Sequence, residues 1–224
     1  MTDPAVERLP GEEDAAARAA ERVAAAAIAA IAARGAFTVA LSGGRTPWRM
    51  LEILARRDDV RWERATVFQT DERVAPEGDP DRNWTRLRSS FPVPATFRPM
   101  PVLDADLGAA ARAYAALLES AAGRPPVLDL VHLGLGADGH TASLVPGDPA
   151  LDVADADAAA TGPYQGRRRL TLTFPAIDRA RERLFLVTGA GKREALDRLL
   201  SGDRSIPAGR VRRDGTTVVA AAVT

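Results

Sequence analysis

The chain has 224 residues, 46% of them apolar and 27% charged, with thirty basic residues against thirty acidic ones. Such a length suits one domain, or one large domain with a small lobe, and can bury a full core. Charge balance gives no electrostatic reason to expect nucleic acid or an anionic membrane as partner, and the absence of cysteine excludes disulfides, thiolate catalysis and thiolate metal sites.

From the N-terminus, residues 13–34 read as an Ala-rich helix stopped by Gly35. Its apolar stretch, 23–33, is too short to span a bilayer, and the residues before it lack the pattern of a secretory signal, so a cytoplasmic location is expected. Residues 37–41 suit a buried strand. The turn Ser42-Gly43-Gly44-Arg45-Thr46 follows, with Thr46 as N-cap and a helix over 47–57. A second strand is expected at 65–69, a polar loop over 71–83 and a helix over 84–90. Residues 92–101 form a Pro-rich connection, and 106–122 return to helical spacing.

A third strand, 127–133, runs into the Gly-rich stretch 134–140. Residues 150–166 read as a loop or excursion. Residues 169–174 alternate as a strand does, 175–181 suit a short helix and 184–187 another strand. The turn Gly189-Ala190-Gly191 opens a helix over 192–200, and 217–222 form a last strand. Short apolar strands alternating with helices predict an α/β fold with a largely parallel sheet covered on both faces. In such folds ligands bind at the carboxyl ends of the strands, which here are Gly-rich or polar loops.

Two of those loops suit an anion. At Ser42-Gly43-Gly44-Arg45-Thr46-Pro47 a strand ends and a helix begins, so exposed amides and the helix dipole face outward, with donors from Arg45, Ser42 and Thr46. The same residues also suit an ordinary strand-to-helix turn. Gly189-Ala190-Gly191-Lys192 repeats the form with a cation at its tip. Lys192 is the chain's single lysine among thirty basic residues. A cation at a helix N-terminus opposes the dipole; a bound phosphate would account for it, and so would a solvated surface position. This turn is no Walker A loop, because Arg193 stands where a Ser or Thr would hold magnesium.

The run 134–139 formally matches a dinucleotide fingerprint. Asp138 would set a carboxylate against the pyrophosphate, however, and Pro146-Gly147 leaves no crossover helix, so a nicotinamide enzyme is not expected. What remains is a tight turn presenting Asp138 and His140 together. An imidazole is the natural general base near neutrality, and a nearby carboxylate fixes its tautomer. The other histidine, His132, lies in an apolar run and is expected to be a satisfied core residue. Asp71-Glu72-Arg73 puts two carboxylates and a guanidinium at the same rim, and Arg169 heads an alternating strand. With two histidines and no HxH or HExxH spacing, no metal site is expected.

Together these motifs resemble the 6-phosphogluconolactonase family, within the larger group that includes glucosamine-6-phosphate deaminases. The matching pieces are residues 41–47, Asp71-Glu72-Arg73 with Asn83 downstream, 134–147, 169–173 and Gly191-Lys192, in the family's order. The resemblance implies a Rossmann-like, mostly parallel sheet in one sugar-phosphate hydrolase domain over residues 1–224. It implies hydrolysis of 6-phospho-D-glucono-1,5-lactone to 6-phospho-D-gluconate in the oxidative pentose phosphate pathway, without cofactor or metal, by a monomer or weak dimer. Carried over by position, His140 is the base on water and Asp138 orients its loop. Asp71, Glu72 and Arg73 border the lactone, while Gly43, Gly44, Arg45, Thr46, Arg169 and Lys192 surround the phosphate. Family members often have Ser where this chain has Arg45. The rivals are a deaminase-like isomerase, which usually carries an acidic residue where this chain has Val145, and a non-catalytic sugar-phosphate sensor.

Overall fold

The computed structural model describes residues 2–223. A first strand, β1 (Ala5–Leu9), leads into α1 (Glu12–Arg34), whose first turn carries Glu12, Glu13 and Asp14 against the helix dipole. Gly35 ends it in the left-handed region with its N–H on the Ile31 carbonyl, a turn that glycine adopts without strain. The buried face of α1 is almost all alanine, which lets the helix lie close against the strands.

Then follow β2 (Phe37–Leu41), α2 (Arg45–Leu54), β3 (Ala65–Gln69), β4 (Asp71–Arg73), α3 (Asn83–Ser90) and β5 (Thr96–Arg98). After these come α4 (Leu107–Ala122), β6 (Leu130–Leu133), β7 (Ala158–Ala160), β8 (Arg169–Leu172) and α5 (Phe174–Arg179). The chain closes with β9 (Glu182–Thr188), α6 (Arg193–Ser201), α7 (Pro207–Arg210) and β10 (Thr216–Ala221). Asp106 caps α4, accepting from the N–H groups of Gly108 and Ala109.

Seven strands form a parallel sheet in the order β1-β10-β9-β6-β2-β3-β5. One apolar cluster, with α1 and α2, fills one face; another, around Phe68, Tyr114, Leu133 and Phe185, fills the other. Sandwiched strands bury both faces, and all five residues of β2 are accordingly buried. The remaining strands form a small antiparallel sheet, β4-β8-β7, as an extra lobe beyond the carboxyl edge of β3. Strand order reverses between β2 and β6, so the crevice expected of a doubly wound sheet opens where the Ser42 and Gly134 loops leave it. No helix of the described residues is long and apolar enough to cross a membrane.

Several local expectations are corrected. The polar loop over 71–83 begins as β4, the Pro-rich connection holds the edge strand β5, and the excursion over 150–166 contains β7. Each is only three residues long and takes its order from a partner strand rather than from its own pattern. Helix α2 starts at Arg45 with Gly44 as N-cap, so Thr46 is no cap; its hydroxyl bonds the Thr188 hydroxyl at 2.6 Å instead.

Candidate active site

The strand ends surround a cavity of about 420 Å³. The β2 loop brings Ser42, Gly43, Gly44, Arg45 and Thr46 to it; β4 brings Asp71 and Arg73; the β6 loop brings His140; β8 brings Arg169; and the turn after β9 brings Lys192. Ten of the twelve residues expected at the site therefore line one cavity. Asp138 stands behind His140, and Glu72 faces elsewhere.

The loop after β6 is folded onto itself: Gly136 donates its N–H to the His140 carbonyl at 2.8 Å, and Gly139 to the Gly136 carbonyl at 3.0 Å. A Cβ at Gly136 would strike the His140 ring, so the close approach needs glycine. Asp138 Oδ1 lies 2.6 Å from His140 Nδ1 and also accepts the His140 backbone N–H at 3.2 Å. Tyr164 donates its hydroxyl to the other oxygen, Oδ2, at 3.1 Å. Burial pushes the Asp138 carboxyl up, but the adjoining imidazole and these hydrogen bonds outweigh it and hold the group below its ordinary value. The carboxylate is thus ionised near neutrality. It accepts the hydrogen bond of Nδ1–H, which leaves the Nε2 lone pair free as a base.

Asp71 forms the floor. Its Oδ2 accepts from the Ser143 hydroxyl at 2.6 Å and its Oδ1 from the Thr70 hydroxyl at 3.2 Å. Arg169 donates to Ser143 Oγ at 3.3 Å and lies with its guanidinium 5.0 Å from the centre of the Tyr164 ring. It is only 4% exposed and its Nε has no partner among the described residues, so burial lowers its pKa below the usual arginine value. These contacts put Arg169 on the imidazole side of the cavity.

Glu72 corrects an expectation. As the next residue on a strand, it points away from the face that Asp71 presents. It is fully buried and accepts the N–H groups of Arg73, Asn83 and Trp84, each at 2.8 Å, and the Gln69 amide at 2.9 Å. Its carboxylate caps the N-terminus of α3 and is out of reach of the cavity. The cap fixes Asn83, whose amide donates to the Asp71 carbonyl at 3.0 Å and holds β4 in place.

On the β2 loop, Gly43 passes so close to Asn83 that a Cβ would collide with its amide oxygen. Ser42 is buried, with its hydroxyl 2.7 Å from that of Thr70 and 3.0 Å from the His132 carbonyl, so it belongs to the framework. Arg45 extends into solvent with its side chain 86% exposed, 3.5 Å from Glu12. His132 is fully buried as expected, but it is not satisfied: Nδ1 accepts the Ser42 N–H at 3.4 Å while Nε2 has no partner among the described residues. Burial lowers its pKa to about 4. Among the described residues no cluster of His, Asp and Glu is arranged to hold a metal ion.

Sequence reasoning missed Tyr164, Thr70 and Thr188. Only the Gln165-Gly166 pair, a turn signal inside the presumed loop, pointed to a hairpin that carries Tyr164 back to the site.

A family model described as glucosamine-6-phosphate isomerases/6-phosphogluconolactonase matches residues 10–219. The chain belongs to that family. It is 44% identical over 181 residues to a 6-phosphogluconolactonase of Synechocystis, covering 77% of this chain and 75% of the relative. A 6-phosphogluconolactonase of Mycobacterium tuberculosis is 36% identical over 229 residues, covering 94% and 93%. The crystal structure of a 6-phosphogluconolactonase from Shewanella baltica superposes with a TM-score of 0.87 at 25% identity, covering 99% of both chains. The parallel sheet with its small antiparallel lobe is the fold that this match covers.

Proposed function

We propose that the chain works as one sugar-phosphate hydrolase domain that opens 6-phospho-D-glucono-1,5-lactone to 6-phospho-D-gluconate. The observation that carries the reading is the Asp138–His140 pair at 2.6 Å, sharing one cavity with two Gly-rich loops and Lys192. The relatives named 6-phosphogluconolactonase support it. His140 Nε2 takes a proton from water, and the resulting hydroxide attacks the lactone carbonyl. Negative charge gathering on the carbonyl oxygen meets the wall that carries Arg73 and Arg169. The imidazolium then returns its proton to the ring oxygen as the C–O bond breaks and the ring opens. Asp138 keeps Nδ1 protonated throughout and offsets the imidazolium charge.

Lys192, Gly43, Gly44 and Thr46 hold the phosphate, whose fixed position sets the carbonyl against the imidazole. Arg45 adds a long-range cation at the rim. Asp71, tied by Ser143 and Thr70, receives the sugar hydroxyls. The Arg169 contacts favour the lactone rather than the phosphate as its target. Exposed large apolar side chains among the described residues are the scattered Val6, Ile28 and Leu103, which supports a monomer or weak dimer. A cytoplasmic setting belongs to the same reading. The test is the opening rate of freshly generated 6-phosphogluconolactone, with glucosamine 6-phosphate as control: acceleration of the first and no turnover of the second is expected, and the reverse overturns the reading.

A further inference from the structure

Tyr164 does not line the cavity, yet its hydroxyl reaches the pair that does the chemistry. The segment between β7 and β8 turns back at a hairpin tip. Tyr164 and Arg167 exchange backbone hydrogen bonds at 3.0 and 3.2 Å, and the two residues between them, Gln165 (φ 51°) and Gly166 (φ 77°), are both left-handed. Such a two-residue turn suits a twisted hairpin, but a left-handed glutamine costs about 1 kcal/mol and needs support. It receives some: Arg169 donates to Gln165 Oε1 at 3.4 Å. On the outer side Arg167 pairs with Asp79 and Asp81, each at 3.2 Å. The Arg169 guanidinium covers one face of the Tyr164 ring, and the ring's contact with the His140 imidazole is edge-on, 5.4 Å between centres at 65°. The tip is anchored on both sides, and the phenol has one place to go.

We propose that Tyr164 is a positioning residue for the reaction: its hydroxyl holds the outer oxygen of Asp138, fixing the carboxylate that orients His140 and tempering its pull on the imidazole proton. The proposal rests on the hydrolytic reading of the site. Asp138 Oδ1 takes two N–H groups from His140, so a carboxylate held only there can swing about its own bond; the phenol on Oδ2 stops the swing. The direction of that bond is fixed by chemistry. Nδ1 already gives its proton to Oδ1, which leaves the phenol's single proton for Oδ2 rather than for Nδ1, 3.5 Å away. Burial, together with Asp138, raises the phenol's own pKa and keeps it a donor. A donor on Oδ2 draws charge away from Oδ1, so the imidazolium releases its proton to the leaving oxygen more readily.

The other charged groups that line the cavity with His140 are Arg169, whose guanidinium lies over the Tyr164 ring, and Asp71, Arg73, Arg45 and Lys192. None of them loses a partner in Tyr164→Phe, which keeps the ring and removes the hydroxyl. The chain has two histidines, so the His140→Ala variant assigns their ring-proton NMR signals without ambiguity. In Tyr164→Phe the His140 ring titration should move to higher pH, because the Asp138 carboxylate loses the donor on its outer oxygen. The acid limb of kcat/KM should move with it, and kcat should fall roughly five-fold with KM unchanged, because the phenol does not touch substrate. An unmoved His140 titration in the folded variant overturns the proposal, as does a loss carried by KM alone. Should the wild-type protein fail to open the lactone, the hydrolytic reading falls by itself. The NMR titration would still report whether Tyr164 acts on His140.

Discussion

The two histidines sit on one strand and the loop that follows it, and their surroundings differ in every respect that governs an imidazole. His132, in β6, is sealed in the core with one nitrogen accepting a backbone N–H and the other unpartnered. His140, on the loop, has a carboxylate on one nitrogen and an open cavity before the other. Burial without a counter-charge refuses a proton; a carboxylate at hydrogen-bond distance holds the ring in one tautomer and leaves its other nitrogen open. The same side chain is thus a rigid acceptor in one place and a base in the other, and the distinction lies wholly in what the fold puts beside it.

The largest effect separates the two directly. His140→Ala should fold normally and lose about 10² to 10⁴ in kcat/KM for the lactone, the usual worth of a general base. Near-normal turnover in that variant would break the comparison at its centre.

His132 should show itself in stability instead. Its folded pKa of about 4 lies below the ordinary value of 6.5, so between those pH values the unfolded chain binds a proton that the folded chain refuses. Stability from this source is complete above pH 6.5 and is lost as pH falls toward 4, amounting to about 3 kcal/mol. Urea unfolding of the wild type and of His132→Gln across this range should differ by a slope of that sign; parallel curves would mean that His132 is not proton-refusing.

Smaller effects sharpen the picture of the cavity's two ends. Lys192→Ala should raise KM for the phosphorylated lactone by about ten-fold, the scale of one charge-assisted contact, and leave unphosphorylated gluconolactone nearly unchanged. Equal changes for both substrates would remove Lys192 from the phosphate end. Glu72→Gln should cost about 1 to 2 kcal/mol of stability through the weakened cap of α3. Its kcat should stay within about two-fold of wild type, since no substrate-facing group is lost. A collapse of kcat in folded Glu72→Gln would return this carboxylate to the chemistry.

What could be read from sequence follows the same division between local and distant causes. Strands β2 and β3 were legible to the residue because buried parallel strands are continuous apolar runs that end at Gly or polar residues. The Gly-rich loops were legible because tight turns at strand ends demand glycine. By contrast β1 is half exposed, with Val6 outward and Glu7 paired to Arg18 and Arg22 of α1, so no period betrayed it. Reading residues 71–83 as a loop hid the alternation that turns Asp71 into the cavity and Glu72 out of it. Tyr164 reaches Asp138 only because a hairpin from the small sheet folds back across the β6 loop, a contact between residues that share no local pattern.

The most direct test of the account compares two curves recorded in one buffer: the acid limb of kcat/KM for fresh 6-phosphogluconolactone and the NMR titration of the His140 ring. If the imidazole is the base, the two midpoints coincide in the wild-type protein and move together in Tyr164→Phe. An acid limb that ignores the His140 titration would contradict the assignment.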